Sequence, residues 1–208
     1  MAGIHRIHPR RLILCAAALG AAACAQAAPD RPASRATPVY DPDTRKLERV
    51  TYDRNSDGRT DATTYMNGAL VTHAELDENF DGTIDRREYF VARPSAAAGG
   101  AAAAPAPATV LDRVEVSTRA DGRVTRRERY ENGVLRHVEE DTDEDGRVDK
   151  WETWESGSLS MLAMDTLGRG RPDRRLVYPA GGGGEPRLEV DPDGTGTFAR
   201  AAQAPGDQ

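Results

Sequence analysis

The chain has 208 residues and a net charge of −6, with 38% hydrophobic, 5% aromatic and 30% charged residues. That length allows one domain or two small ones, and so little apolar material excludes a thick core. Glycine and proline together number 33, which favours turns and linkers over long helices, and the acidic balance argues against a nucleic-acid partner and suits cations.

Residues 1–23 read as a signal peptide. Arg6, Arg10 and Arg11 make a basic start without an acid, and Leu12 to Ala23 is an apolar run too short to span a membrane permanently. Without this segment the net charge is about −9. Two cleavage readings compete. Ala21-Ala22-Ala23-Cys24 resembles a bacterial lipobox, with Ala at a position usually held by Leu; Cys24 would then be lipidated and lead the mature chain. Ala25-Gln26-Ala27 fits an ordinary small-x-small signal peptidase site. The expectation is an exported protein, an outer-membrane lipoprotein or a periplasmic protein, with a secreted one as the alternative. Any membrane contact would run through Cys24. Cys15 is lost with the signal, so the mature fold has no disulfide. Residues 24–38 read as a disordered tether, 39–200 as one repeat array, and 201–208 as a disordered tail.

Within the array, acidic loops begin at Asp53, Asp77, Ser117, Asp141, Asp165 and Asp191. Three of the steps between them are 24 residues. The step to Asp191 is 26, lengthened by Gly181 to Gly184, and the step from Asp77 to Ser117 is 40. The excess in the longer step falls in the Ala/Pro/Gly-rich run 92–109. Val110-Leu111 with Val114-Glu115, before Ser117, matches Val134-Leu135 with Val138-Glu139, before Asp141. The run is therefore read as a flexible insertion in one array; a two-domain split is the competing reading.

Tight turns divide each repeat. Asn132-Gly133 and Asn67-Gly68 carry the strongest short hairpin signal, because both central residues of a type I′ turn need positive φ, and Ser156-Gly157 is a weaker copy. Each repeat then reads as acidic loop, strand, turn, strand. Strands are expected over 123–131 and 134–140, then over 147–155 and 158–164. The predicted fold class is all-β, an antiparallel hairpin meander with a 24-residue period. A helical EF-hand arrangement is the alternative. It is disfavoured because twelve residues between loops cannot hold two helices of about 11 residues each.

The loops carry the chemistry. Asp141 to Glu152 places oxygen ligands at loop positions 1, 3, 5, 9 and 12 (Asp141, Asp143, Asp145, Asp149 and Glu152), with Gly146 at position 6. Ca²⁺ is a hard cation that takes several oxygens at once, and this is the ligand spacing of an EF-hand-type loop. The 77 loop keeps every position, with Asp77, Asn79, Asp81, Asp85 and Glu88. The 53 loop keeps Asp53, Asn55, Asp57 and Asp61 but has Thr64 at position 12. The 117 loop has Ser117, Arg119 and Thr125 where ligands belong; the 165 loop has Leu167 and Arg169, and the 191 loop ends in Thr195 at position 5. In a strand-flanked loop position 12 can point away from an ion, so Glu88 and Glu152 are the weaker ligands. Calcium is the expected cofactor, ahead of Mg²⁺ with its stricter octahedral demand. The competing view is that these Asp and Asn residues only hydrogen-bond their own turns.

Asp141 to Leu159, with Asp53 to Leu70 and Asp77 to Tyr89, resembles a group of bacterial secreted or lipoprotein repeats built on D-x-[DN]-x-D-G-x-x-D followed by an aromatic strand and a turn. The resemblance implies β-hairpins joined by calcium-type loops, and no particular partner. No catalytic set is visible. His73 and His137 occupy equivalent strand positions and read as structural, and Trp151 and Trp154 are expected to supply core. The expected function is a non-enzymatic, calcium-binding repeat protein with a structural or interaction role in the envelope. The alternatives are a metal-free, adhesin-like scaffold and a carboxylate-based hydrolase. No protein or glycan partner can be named.

Overall fold

A computed structural model describes residues 35–93, 108–181 and 184–201. The expected signal peptide 1–23, Cys24, the expected tether up to residue 34, residues 94–107 of the Ala/Pro/Gly-rich run and the expected tail from 202 lie outside the described residues. Thirteen strands form one antiparallel sheet in strict chain order. They are β1 Arg35–Tyr40, β2 Leu47–Asp53, β3 Ala62–Asn67, β4 Leu70–Leu76, β5 Arg86–Ala92, β6 Thr109–Val116 and β7 Arg126–Glu131. The rest are β8 Val134–Glu140, β9 Lys150–Glu155, β10 Ser158–Met164, β11 Arg174–Val177, β12 Arg187–Val190 and β13 Ala199–Arg200. The class is all-β, and no helix occurs among the described residues.

Turn chemistry sets the connections. Asn132 and Gly133 sit at φ 53° and 79° between β7 and β8, the double positive φ that a two-residue hairpin requires. Ser156 and Gly157 do the same between β9 and β10, at 51° and 80°. β5 and β6 pair from Arg86↔Val116 to Ala92↔Thr109, so the sheet is continuous on either side of the insertion. A one-residue irregularity falls between Tyr65 and Met66, Tyr89 and Phe90, and Arg129 and Tyr130, so the hairpin that carries the insertion keeps the same bulge as its neighbours.

Strands start later than the sequence pattern predicts. β7 and β9 begin at Arg126 and Lys150, because 123–125 and 147–149 still belong to their loops. Thr125 N donates to Val116 O at 3.0 Å and Asp149 N to Glu140 O at 3.0 Å, closing each loop before the strand begins.

The core is thin. Among the described residues the buried apolar side chains are Val114, Val138 and Ala163. Val114 and Val138 lie in one cross-strand row, Glu88↔Val114↔Glu128↔Val138↔Glu152. Small apolar residues are thus flanked by long charged ones, whose hydrocarbon stems can cover them. Trp151 and Trp154 do not form this core. Both are half-buried, and their spacing of three puts them on opposite faces of β9.

The face that carries Val114 is laced by charge. Arg86 bonds Glu88 at 2.7 Å, Arg126 bonds Glu128 at 2.9 Å, and Lys150 bonds Glu152 at 3.0 Å. Arg126 and Lys150 also share Glu140, at 2.9 and 3.1 Å. Two residues further along, Tyr130 Oη donates to Glu128 at 2.7 Å and Trp154 Nε1 to Glu152 at 3.0 Å. Burial and then the Glu128 carboxylate push the Tyr130 phenol up to about 12. On the opposite face the His73 ring stacks on Tyr65 at 4.1 Å and lies 6.1 Å from Tyr89, and Arg113 lies over Tyr89 at 4.0 Å.

Candidate metal centre

A meander puts alternate connections at opposite ends of its strands. The loops beginning at 53, 77, 117, 141, 165 and 191 follow β2, β4, β6, β8, β10 and β12, so all of them lie at one end. Backbone bonds tie each to the next. Asp77 N donates to Asp61 O, Ser117 N to Asp85 O, Asp141 N to Thr125 O, Asp165 N to Asp149 O and Asp191 N to Asp173 O, all at 2.7–2.8 Å. The first residue of one loop is thereby fixed to the ninth residue of the loop before it.

The six loops share one backbone turn, and all but the 191 loop, with Pro192 at its second position and Ala199 at its ninth, share both of its side-chain bonds. The fourth residue has positive φ: Ser56 65°, Phe80 67°, Ala120 58°, Glu144 63°, Gly168 67° and Gly194 70°. So does the sixth, always Gly; Gly82 is at 96° and Gly146 at 94°. The first side chain accepts the N–H of that glycine: Gly58 to Asp53 at 3.0 Å, Gly82 to Asp77 at 2.7 Å, Gly146 to Asp141 at 3.0 Å and Gly196 to Asp191 at 2.8 Å. The ninth side chain accepts the N–H of the second residue: Arg54 to Asp61 at 2.6 Å, Glu78 to Asp85 at 2.9 Å and Thr142 to Asp149 at 3.0 Å. In the 117 loop hydroxyls take both roles. Gly122 N donates to Ser117 Oγ at 3.1 Å and Thr118 N to Thr125 Oγ1 at 3.2 Å. The loop conformation is therefore made by backbone hydrogen bonding, and a neutral oxygen is enough for it.

The fifth residues build small turns. Asp57 Oδ1 accepts Arg59 N at 2.8 Å, Asp81 Oδ1 accepts Thr83 N at 2.7 Å and Asp145 Oδ1 accepts Arg147 N at 2.8 Å. At Asp57 and Asp81 these bonds hold the carboxyl below its ordinary range. At Asp57 the main cause is the Arg59 N–H and then the Asn55 amide; at Asp81 it is the Asn79 amide and then the Thr83 N–H.

Burying a carboxylate is costly unless its oxygens are bonded. Among the described residues two buried carboxylate oxygens have no partner, Asp85 Oδ1 and Asp141 Oδ1. Asp85 is 5% exposed and Asp141 is 9% exposed. They belong to the 77 and 141 loops, the two that keep every predicted ligand position. In the 141 loop, Asp141, Asp143 and Asp149 each bring an oxygen within 4.8 Å of the others. Three carboxylates this close repel one another, and a divalent cation turns that repulsion into coordination.

The other predicted ligands are placed differently. Asp53, Asn55, Asp57 and Asp61 occupy one loop whose oxygens accept backbone N–H groups as in the 77 and 141 loops, and Asn55 Nδ2 donates to Asp57 Oδ2 at 3.1 Å. Asn79 Nδ2 likewise donates to Asp81 Oδ2 at 2.8 Å. Glu88 and Glu152 both sit on strands, where Arg86 and Lys150 hold their carboxylates in ion pairs at 2.7 and 3.0 Å. Position 12 lies three residues into the strand, where the period-two alternation of side chains assigns it to the sheet face. The sequence signal for this was a recurring Arg/Lys-x-Glu-x-aromatic unit, at Arg86-Phe90, Arg126-Tyr130 and Lys150-Trp154. It recurs in the 117 repeat as Glu128, where the metal positions are lost.

No family model matches the chain, and no curated protein matches it. Among solved structures, the crystal structure of accessory secretory protein 1, 2 and 3 in Streptococcus pneumoniae is similar at 13% identity and a TM-score of 0.20, over 76% of this chain and 19% of that one. This chain thus spans about a fifth of the length of that structure's chain.

Proposed function

We propose that this is a calcium-binding repeat protein in which cations at the 77 and 141 loops stiffen one end of an open sheet. The observation that carries the reading is Asp141 Oδ1, a buried carboxylate oxygen without a partner, in a group with Asp143 and Asp149. A bound cation would supply the missing partner. Binding that favours the folded state adds to stability by mass action, which counts in a sheet with so few buried apolar residues. Affinity in the range of extracellular modules, roughly 10⁻⁴–10⁻³ M, suits a loop with three clustered carboxylates.

Export to the bacterial envelope, as a lipoprotein through Cys24 or as a periplasmic or secreted protein, is part of the same proposal and rests on residues 1–27 of the sequence. The role is structural or interaction-mediating and non-enzymatic. His73 and His137, the histidines among the described residues, lie within strands, with His73 in an aromatic stack and His137 3.5 Å from Glu139. A metal-free scaffold is the second reading, and the 117 loop favours it, since Ser117 and Thr125 make the same turn without carboxylates.

Thermal melts in calcium and in chelator separate the two. At ten times the dissociation constant the calcium reading expects about 1.4 kcal/mol of added stability for each occupied loop, or a rise of about 3–6 °C per site for a chain of this size. Identical melts at millimolar calcium and in chelator support the scaffold.

A further inference from the structure

Neighbouring loops touch through their side chains. Arg119 Nε lies 2.5 Å from Glu144 Oε1. Arg119 is the third residue of the 117 loop and Glu144 the fourth of the 141 loop. An Arg123 guanidinium nitrogen stands 3.6 Å from where a Cβ on Gly146 would lie, beside the turn whose N–H binds Asp141. The reach recurs along the row: Arg54 lies over Phe80 at 5.6 Å, and Arg169 donates to Pro192 O at 3.4 Å. The rung from Asp141 N to Thr125 O fixes the spacing of the 117 and 141 loops.

We propose that the 117 loop, having lost its own ligands, acts as a fixed cationic neighbour that weakens the grip of the 141 loop on a divalent cation. This rests on the calcium reading of the 141 loop. The nine residues from Ser117 carry Arg119 and Arg123 against Asp121 alone; the nine from Asp53 carry Arg54 and Arg59 against Asp53, Asp57 and Asp61. The 77 loop therefore follows a net acidic loop and the 141 loop a net basic one. A guanidinium beside a carboxylate cluster repels an incoming divalent ion and attracts the acids that would bind it. Both effects raise the dissociation constant, by about fivefold for the pair at low salt.

The test uses the full mature chain with Asp77→Ser and Asp85→Thr, so that the 141 loop alone is read by calorimetric titration with CaCl₂. In that background Arg119→Gln with Arg123→Gln is expected to lower the dissociation constant about fivefold at low salt. The difference should shrink at 1 M salt, where the screening length is about 3 Å. Arg119→Lys with Arg123→Lys should keep the parent affinity, since charge is retained. Far-UV circular dichroism in chelator checks that each variant keeps the sheet. Calcium binding by the parent with unchanged affinity in the Gln variant overturns this proposal and leaves the calcium reading standing. Binding that becomes measurable only in the Gln variant supports both. No heat from any variant overturns this proposal together with the calcium reading of the 141 loop on which it rests.

Discussion

Asp141 is fixed to Thr125: its N–H donates to the Thr125 carbonyl at 2.8 Å, and Thr125 N in turn donates to Val116 O at 3.0 Å. Through these two bonds a loop with four aspartates is held beside a loop whose equivalent residues are Ser117, Arg119, Asp121 and Thr125. The pair is an internal control. The same backbone turn is built once around carboxylates and once around hydroxyls, so what the carboxylates add beyond the turn can be measured by exchanging them.

The exchange can run from the 117 loop toward the 141 loop. Ser117→Asp, Arg119→Asn and Thr125→Asp, made together, give the 117 loop the residue types that the 77 loop carries at positions 1, 3, 5 and 9. The backbone already has positive φ at Ala120 and Gly122, 58° and 82°, so no refolding of the turn is needed. The expected outcome is additional calcium bound, read by equilibrium dialysis, together with lower stability in chelator from the added like charges. Unchanged stoichiometry with an intact sheet would count against the loop frame as a metal cradle.

Glu152 separates strand role from ligand role. Its carboxylate is bonded by Lys150 and Trp154, and Arg126 lies 3.6 Å away. Glu152→Gln is expected to cost about 1–3 kcal/mol in a denaturant melt and to leave the calcium dissociation constant within about twofold. A large loss of affinity with little loss of stability would restore Glu152 as a ligand.

Gly82 tests the backbone. It sits at φ 96° with open space around the position a Cβ would take, so a side chain there meets strain and no clash. Gly82→Ala is expected to destabilise by about 1–2 kcal/mol, measured in chelator by urea unfolding. No change would mean that the turn relaxes freely.

Acid should weaken the loops before any metal is considered. Asp57, Asp81 and Asp121 are all held below the ordinary 3.8. A lowered folded pKa means that the unfolded chain binds more protons, so stability rises with pH across the interval between folded and unfolded values. It is fully present above about pH 5 and drains away as pH falls through and below 3.8. Melting temperatures in chelator should be flat from pH 7 to about 5 and then fall. A maximum at pH 3 would contradict the hydrogen-bond pattern.

Asn132-Gly133 and the Asp-Gly loops made the meander readable in the sequence, because positive φ leaves a mark in residue choice. Register leaves a weaker one. That Arg126, Glu128 and Tyr130 share a face with Val114 requires knowing that Val114 pairs with Glu128. For the same reason Glu152 at position 12 looked like a ligand while serving the strand. The tryptophans looked like core because they are large; the buried apolar residues among those described are instead small valines and an alanine, as a sheet with one layer can cover little more. The contact of Arg119 with Glu144 needed the stacking distance of two loops, which spacing along the chain does not give. The unpartnered oxygens of Asp85 and Asp141 then separated the 77 and 141 loops from the 53 loop, which the ligand pattern had grouped with them.

The most direct measurement is calorimetric titration of the full mature chain with CaCl₂, beside the variant Asp141→Ser with Asp149→Thr, which copies the hydroxyls of the 117 loop into the 141 loop. The variant should keep the sheet in chelator, since Ser117 and Thr125 already support this turn. Binding at roughly 10⁻⁴–10⁻³ M is expected in the parent, with the loss of one bound calcium in the variant. Equal heats from the two proteins, or no heat from either, would contradict the calcium reading of the 141 loop.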